Sequence, residues 1–171
     1  MIQKTAVALL ATCFALPWAQ AQIPLPQDRG YVGILAGYTQ TSGLSGRFGF
    51  GAEGGLQLTN HMKGLLYFQS STGDKDDIET QVLHYGVGAD YAFMESAPGL
   101  SAGLRLGMGT AQPSGAGAGG DQSAFSIGPA VSYDWMIHEN ISIGGQAQYL
   151  WTMWDDTETS SYFFLTGKFW L

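Results

Sequence analysis

Residues 160–171, SSYFFLTGKFWL, alternate with a period of two. Phe163, Leu165, Gly167, Phe169 and Leu171 share one face of an extended chain, and Tyr162, Phe164, Thr166, Lys168 and Trp170 share the other. Successive side chains of a strand point to opposite faces, so charge is confined to the face of Lys168. A strand this aromatic, left as a free edge in water, would template pairing with other chains. Closing the sheet into a ring removes that edge. In lipid a closed ring also satisfies every backbone N–H and C=O, and its outer face must then be apolar. Further strands with the same alternation are needed if such a ring is to close.

The chain supplies seven more. Residues 30–40 place Val32, Ile34, Ala36 and Tyr38 against Gly33, Gly37 and Thr39. Residues 47–58 give the clearest pattern, with Phe48, Phe50, Ala52, Leu56 and Leu58 against Arg47, Gly49, Gly51, Glu53, Gly55 and Gln57. Residues 63–71 put Leu66 and Phe68 outward, although Leu65 and Tyr67 blur the alternation. Residues 80–93 set Leu83, Tyr85, Val87, Ala89, Tyr91 and Phe93 against His84, Gly86, Gly88 and Asp90. Residues 100–110 set Leu104, Leu106 and Met108 against Ser101, Gly103, Arg105, Gly107 and Gly109. Residues 123–135 set Phe125, Ile127, Val131, Tyr133 and Trp135 against Ser126, Gly128, Ser132 and Asp134, with Pro129 as a local defect. Residues 141–151 complete the set. Short turns at 59–62, 94–99 and 136–140 alternate with longer loops at 41–46, 72–79, 111–122 and 152–159. The pattern predicts an all-β chain, a closed antiparallel eight-stranded transmembrane up-and-down β-barrel.

Composition decides whether lipid or water lies outside. A lipocalin-like barrel or a β-sandwich would alternate too, but with apolar faces turned inward and many Lys and Glu on the polar faces. Here the polar faces are mostly glycine and serine, charged residues are 12% of the chain, and 25 residues are glycine. Small inward residues suit a narrow barrel, whereas so much glycine opposes a helical bundle, at about 1 kcal/mol per residue.

Residues 1–21 read as a secretory signal peptide: Lys4, an apolar run over 6–15, and Ala19-Gln20-Ala21 before the cut. A lipoprotein reading through Cys13 fits less well, with Thr12 before it and an apolar segment after it. Cleavage removes the only cysteine and with it disulfide, metal-thiolate and cysteine-nucleophile chemistry. Residues 22–171 form the barrel domain, opened by a short Pro-containing arm over 22–29. The formal charge of −7 becomes −8 without Lys4, and no basic cluster is present, which argues against nucleic acid as a partner.

The last segment resembles the terminal signal of bacterial outer-membrane barrels, in which a glycine precedes alternating hydrophobics and the chain ends on an aromatic. Gly167, Phe169 and Leu171 occupy those places, with Leu171 in place of the aromatic and Gly167 one position nearer the end. In pattern the whole mature length resembles the small eight-stranded OmpA/OmpX-like and opacity-protein group. That resemblance implies a bacterial outer-membrane location, lipid and lipopolysaccharide as surroundings, the barrel insertion machinery as a partner, and a monomer. No periplasmic domain is expected beyond the barrel. With short turns in the periplasm, Tyr91, Phe93, Tyr133, Trp135 and Phe169 gather at the periplasmic rim, and Tyr38, Phe68, Tyr149 and Trp151 at the outer one.

Eight strands enclose just enough space for their own side chains. The inward ionisable set is Arg47, Glu53, Lys63, His84, Asp90, Arg105, Asp134 and Lys168, with Glu53 and Asp90 as the expected partners of Arg105. It reads as a gate or proton-linked channel, or as a paired ionic core. Mixed signs favour the core, since buried charges persist when paired. Two barrel enzymes that modify lipid A use a Ser, a His and a carboxylate near the outer rim. His84 with Ser126 would have to serve here; no His-x-Ser motif exists, and His61 and His138 fall in turns. The acidic groups Asp74, Asp76, Asp77 and Glu79, then Asp155, Asp156 and Glu158, lack the glycine-centred spacing of an EF-hand. They read as solvated loops suited to an extracellular ligand. Neither cofactor, metal nor catalytic residue is expected. A filled surface barrel leads, ahead of a narrow channel for small hydrophobic solutes and a lipid A-modifying enzyme.

Overall fold

The computed structural model describes residues 29–59, 61–75, 78–92, 99–114, 120–153 and 157–171, apart from the side chains of Lys75 and Thr157. The proposed signal peptide, residues 22–28 of the arm, Phe93, Asp76, Asp77, Asp155 and Asp156 lie outside them. The strands are β1 (Gly30–Thr41), β2 (Arg47–Gln57), β3 (Met62–Lys75), β4 (Ile78–Tyr91), β5 (Leu100–Ser114), β6 (Gln122–His138), β7 (Ile141–Met153) and β8 (Thr157–Trp170). Each pairs antiparallel with the next, and β8 returns to β1, so the sheet is a closed eight-stranded barrel.

Alternation decides what each side faces. Along β1, Tyr31, Gly33 and Leu35 are buried while Val32, Ile34 and Ala36 are exposed. Ile34 and Leu165 keep 74% and 76% of their surface accessible, and similar apolar side chains continue all round the ring. No core backs this belt on the outside, so it is the surface that a hydrocarbon medium requires. The blurred third segment is explained by the inside: Leu65 and Tyr67 point inward and pack with Tyr31, Met136 and Trp170.

The register carries a stagger. Stepping from Gly33 through Glu53, Tyr67, Gly86, Gly107, Ser126 and Thr152 returns to Glu158 on β8, whereas Gly33 pairs directly with Lys168. The offset of 10 residues is the shear that tilts the strands as closure requires. Pro129, lacking an N–H, coincides with a gap in the β6–β7 ladder between Ile127↔Trp151 and Ala130↔Gln148, across which the register is kept.

Several expected connections need correction, residues 111–114 and 157–159 of two expected loops being strand. The acidic loop at 72–79 is mostly strand: the β3–β4 ladder continues to Asp74↔Glu79 and Lys75↔Ile78. The turn at 136–140 shrinks to residues 139–140, with a register shift between Met136 and His138. Connection length therefore does not separate the two ends of the barrel. Sheet overshoot does. At the end opposite the start of β1, the distal end, outward positions turn polar beyond Phe68, Leu83 and Met108, at Ser70, Thr72, Gln81, Thr110 and Gln112.

Inward glycines also do more than save lumen space. Gly86 and Gly107 are register partners. A Cβ on Gly86 would collide with the Leu106 carbonyl oxygen, and one on Gly107 with that of Tyr85. Glycine here lets neighbouring backbones approach. Outward Gly54 and Gly145 would meet only ordinary contacts, at 3.6 and 3.7 Å.

Candidate functional site

The site is the lumen, and its proximal part is ionic. Glu53 of β2, Lys63 of β3, Asp90 of β4, Arg105 of β5, Asp134 of β6 and Lys168 of β8 all point inward, and none is more than 5% exposed. Lys168 Nζ lies 2.9 Å from Glu53 Oε1 and 2.9 Å from Asp134 Oδ1. Lys63 Nζ donates to Asp134 Oδ2 at 2.9 Å and sits 4.0 Å from Asp90. Arg105 closes the chain with two bonds to Asp90, Nη1 to Oδ1 at 2.5 Å and Nη2 to Oδ2 at 3.1 Å. Three cations and three anions alternate, so the chain is neutral and each charge has an opposite neighbour, the condition under which buried ions are tolerated.

Glycines make these pairs geometrically available. Gly33 lies in register between Lys168 and Glu53, and a Cβ there would press on both stems at 3.1 and 3.3 Å. Asp90 faces Gly103 and Arg105 faces Gly88, so the two side chains meet diagonally over bare backbone. The remaining strands complete the layer, β1 with Tyr31 and β7 with Ser142. Tyr31 of β1 places its ring 5.1 Å from Lys168 Nζ, a cation–π distance. Trp170 packs on Tyr31 at 4.9 Å and donates to Ser142 of β7 at 3.0 Å.

The distal part is uncharged. His84, fully buried, has Nδ1 bonded to the Tyr162 hydroxyl at 2.6 Å and Nε2 to Thr152 Oγ1 at 2.9 Å. Both ring nitrogens are therefore occupied, neither by a carboxylate nor by Ser126. The His84–Ser126 pair that a lipid A-modifying enzyme would need is not formed, and a fully buried imidazole offers no surface to a lipid outside the ring. Nearby, Leu35, Leu150, Tyr162 and Phe164 form an apolar cluster, and Thr41 and Ser160 share a hydrogen bond of 2.9 Å.

Arg47 does not belong to the lumen. It begins β2 at the distal rim, where its side chain is 44% exposed and pairs with Asp74 of β3. Its parity is inward, but β2 begins at this residue and its side chain turns to Asp74 at the rim rather than to the charges of the lumen. Glu53 is the partner of Lys168 rather than of Arg105. Among the described residues no cluster of His, Cys, Asp and Glu is arranged to hold a metal ion. Reasoning from charge alone overlooked Tyr31, Leu35, Tyr162, Phe164 and Trp170 as lumen filling, although Lys168 shares its strand face with three of them. It also missed Gln69, Gln146 and Gln148, which carry no charge to mark them.

No family model and no curated protein sequence matches the chain. Solved structures do. Neisserial surface protein A matches at 14% identity and a TM-score of 0.70, over 82% of this chain and 96% of that one. Ail, the attachment invasion locus protein of Yersinia pestis, matches at 17% identity and 0.52, over 82% and 97%. The N-terminal β-barrel domain of Pseudomonas aeruginosa OprF matches at 15% and 0.54, over 85% and 98%. With its closed ring, apolar outer belt and polar interior, the chain has the fold of the small eight-stranded barrels of the bacterial outer membrane.

Proposed function

We propose that the protein is a closed, non-catalytic outer-membrane barrel that holds a rigid platform at the cell surface. The observation that carries this reading is the neutral chain of six charges, which together with Tyr31 and Trp170 draws on seven of the eight strands, with β7 joined through Ser142. Such a chain holds the lumen shut, because an ion entering it would have to break buried pairs. The distal end, with its sheet overshoot, faces outward; lipopolysaccharide and phospholipid surround the belt, and the chain works as a monomer. An extracellular ligand would meet an acidic rim, with Glu79 and Glu158 described and more acids in the connecting sequence. Ail has been crystallised with a heparin analogue; an acidic rim repels such a polyanion, so a cationic or neutral partner suits this chain better. Planar-bilayer recording on the refolded protein tests the closed lumen. The expected trace has no discrete conductance steps, and regular steps in the wild type would overturn the reading in favour of a narrow channel.

A further inference from the structure

We propose that the central layer of the lumen is a binding site for a cluster of ordered water held by Gln69, Gln146 and Gln148. The three side chains are 0%, 4% and 4% exposed. In each, both the amide nitrogen and the amide oxygen lack a hydrogen-bond partner among the described residues, as does the Thr166 hydroxyl. A carboxamide offers two donors and an acceptor, and a buried one left dry bears the full desolvation penalty of each unmet group. Unmet groups on three neighbouring amides mark a site built for a guest.

Topology brings the amides together. β3 and β7 stand four strands apart in either direction round the ring of eight, so they face each other across the lumen. Followed through β2, β1 and β8, the register of Gln69 leads to Gly144 on β7. Followed the other way, it arrives 10 residues further along, by the shear. The level directly opposite Gln69 lies midway, beside Gln148, and Gln146 is the next inward residue below. Inward Gly49, Gly51, Gly86 and Gly128 contribute no side chain to this stretch, while the buried rings of Phe164 and Tyr162 stand in register beside Gln146 and Gln148.

The chemistry of the guest follows from what surrounds it. Charges below are already paired into a neutral chain, so an ion would find no counter-charge. Beside the amides, His84 in register with Gln69 and Tyr162 in register with Gln148 are already bonded, His84 holding both Tyr162 and Thr152. The guest must be small and uncharged, and must both donate and accept. A buried water with two to four polar partners meets these terms. The inference does not depend on whether the barrel conducts, since the ionic chain lies below the amides.

The test is solution NMR on the full mature barrel, refolded in deuterated detergent micelles with glutamine side-chain amides labelled and assigned through the backbone. Expected are water cross-peaks at the amides of Gln69, Gln146 and Gln148 whose NOE and ROE signs are opposite, the mark of long-lived bound water. Absence of these cross-peaks, or NOE and ROE of the same sign as at the more exposed Gln112, would overturn the site. A second arm adds carbon-labelled glycerol; glycerol cross-peaks in place of water would overturn water as the occupant. A folded Gln69→Leu variant should lose the water cross-peak at Gln148, and an unchanged peak would refute a shared cluster. If that variant does not fold, the wild-type spectra decide.

Discussion

Arg105→Leu tests the ionic chain at the point where its arithmetic is simplest. Arg105 is fully buried and makes two bonds to Asp90. The other cation near Asp90, Lys63, sits 4.0 Å away and is bonded to Asp134. Removing the guanidinium leaves three buried anions against two cations, with Asp90 the stranded one. Breaking a buried pair from one side costs about 3–5 kcal/mol. Leucine recovers some apolar contact, so about 3 kcal/mol is expected, close to a hundredfold in the folding equilibrium at about 1.4 kcal/mol per decade. Adding Asp90→Asn removes the stranded charge, so the double variant should be more stable than Arg105→Leu alone despite carrying two changes. Urea titrations of folding into lipid vesicles measure both. Leu104→Arg is the control, because Leu104 is its neighbour on the outward face and 45% exposed. An arginine on the lipid side near the midplane costs about 2–4 kcal/mol, and Asp90→Asn should leave that loss uncorrected. Wild-type stability in Arg105→Leu, or a double variant weaker than the single, would refute the pairing scheme.

Asp134 bridges Lys63 and Lys168, whereas Glu53 bonds only Lys168, which keeps Asp134. Asp134→Asn should therefore cost toward the upper end of about 3–5 kcal/mol and Glu53→Gln clearly less, as read in the same titrations. Gly86→Ala and Gly107→Ala force a methyl against a neighbouring carbonyl and should each cost about 1–3 kcal/mol or more. Gly54→Ala, whose methyl would make only an ordinary contact at 3.6 Å, should be neutral or stabilising by about 0.4–1 kcal/mol; equal effects at all three would sink the close-approach argument. The closed hydrogen-bonded ring should survive detergent at room temperature, so heated and unheated samples should migrate differently on gels, and identical migration would count against a barrel. We further propose Gly167, Phe169 and Leu171 as an assembly signal. Phe169 and Leu171 are 47% and 67% exposed, and a Cβ on Gly167 meets nothing closer than 3.9 Å. Their alanine variants should fold nearly normally in vitro yet reach the cell surface at reduced levels, and normal surface levels would show the last strand to be ordinary.

The strands were legible because each side chain reports its own face. Val32 to Tyr38, Phe48 to Ala52 and Leu83 to Tyr91 alternate against inward positions that are mostly glycine, and a strand has no other way to satisfy that pattern next to lipid. Where the pattern blurred, at Leu65 and Tyr67, the inside of the barrel supplied the reason: proximal aromatics fill the lumen as hydrophobes fill a core. Where it reached past the membrane, reading failed. Residues 72–79 are polar and acidic, and a polar run looks like a loop whether or not its backbone continues to pair, as Asp74 and Glu79 do.

The sequence by itself determined the number of strands, their facing, the closed topology, and six of the side chains that form the ionic chain. It did so because period-two alternation and sign of charge are local properties. Only the tertiary structure decided which charges meet. Arg105 pairs with Asp90 across bare glycine positions, while Glu53 reaches Lys168 over Gly33, because shear sets which residues share a height, and shear is a property of the whole ring. The same closure left Arg47 at the rim, buried His84 between Tyr162 and Thr152, and set Gln69 opposite Gln148. Those relations join residues far apart in the chain, and no neighbour in the sequence records them.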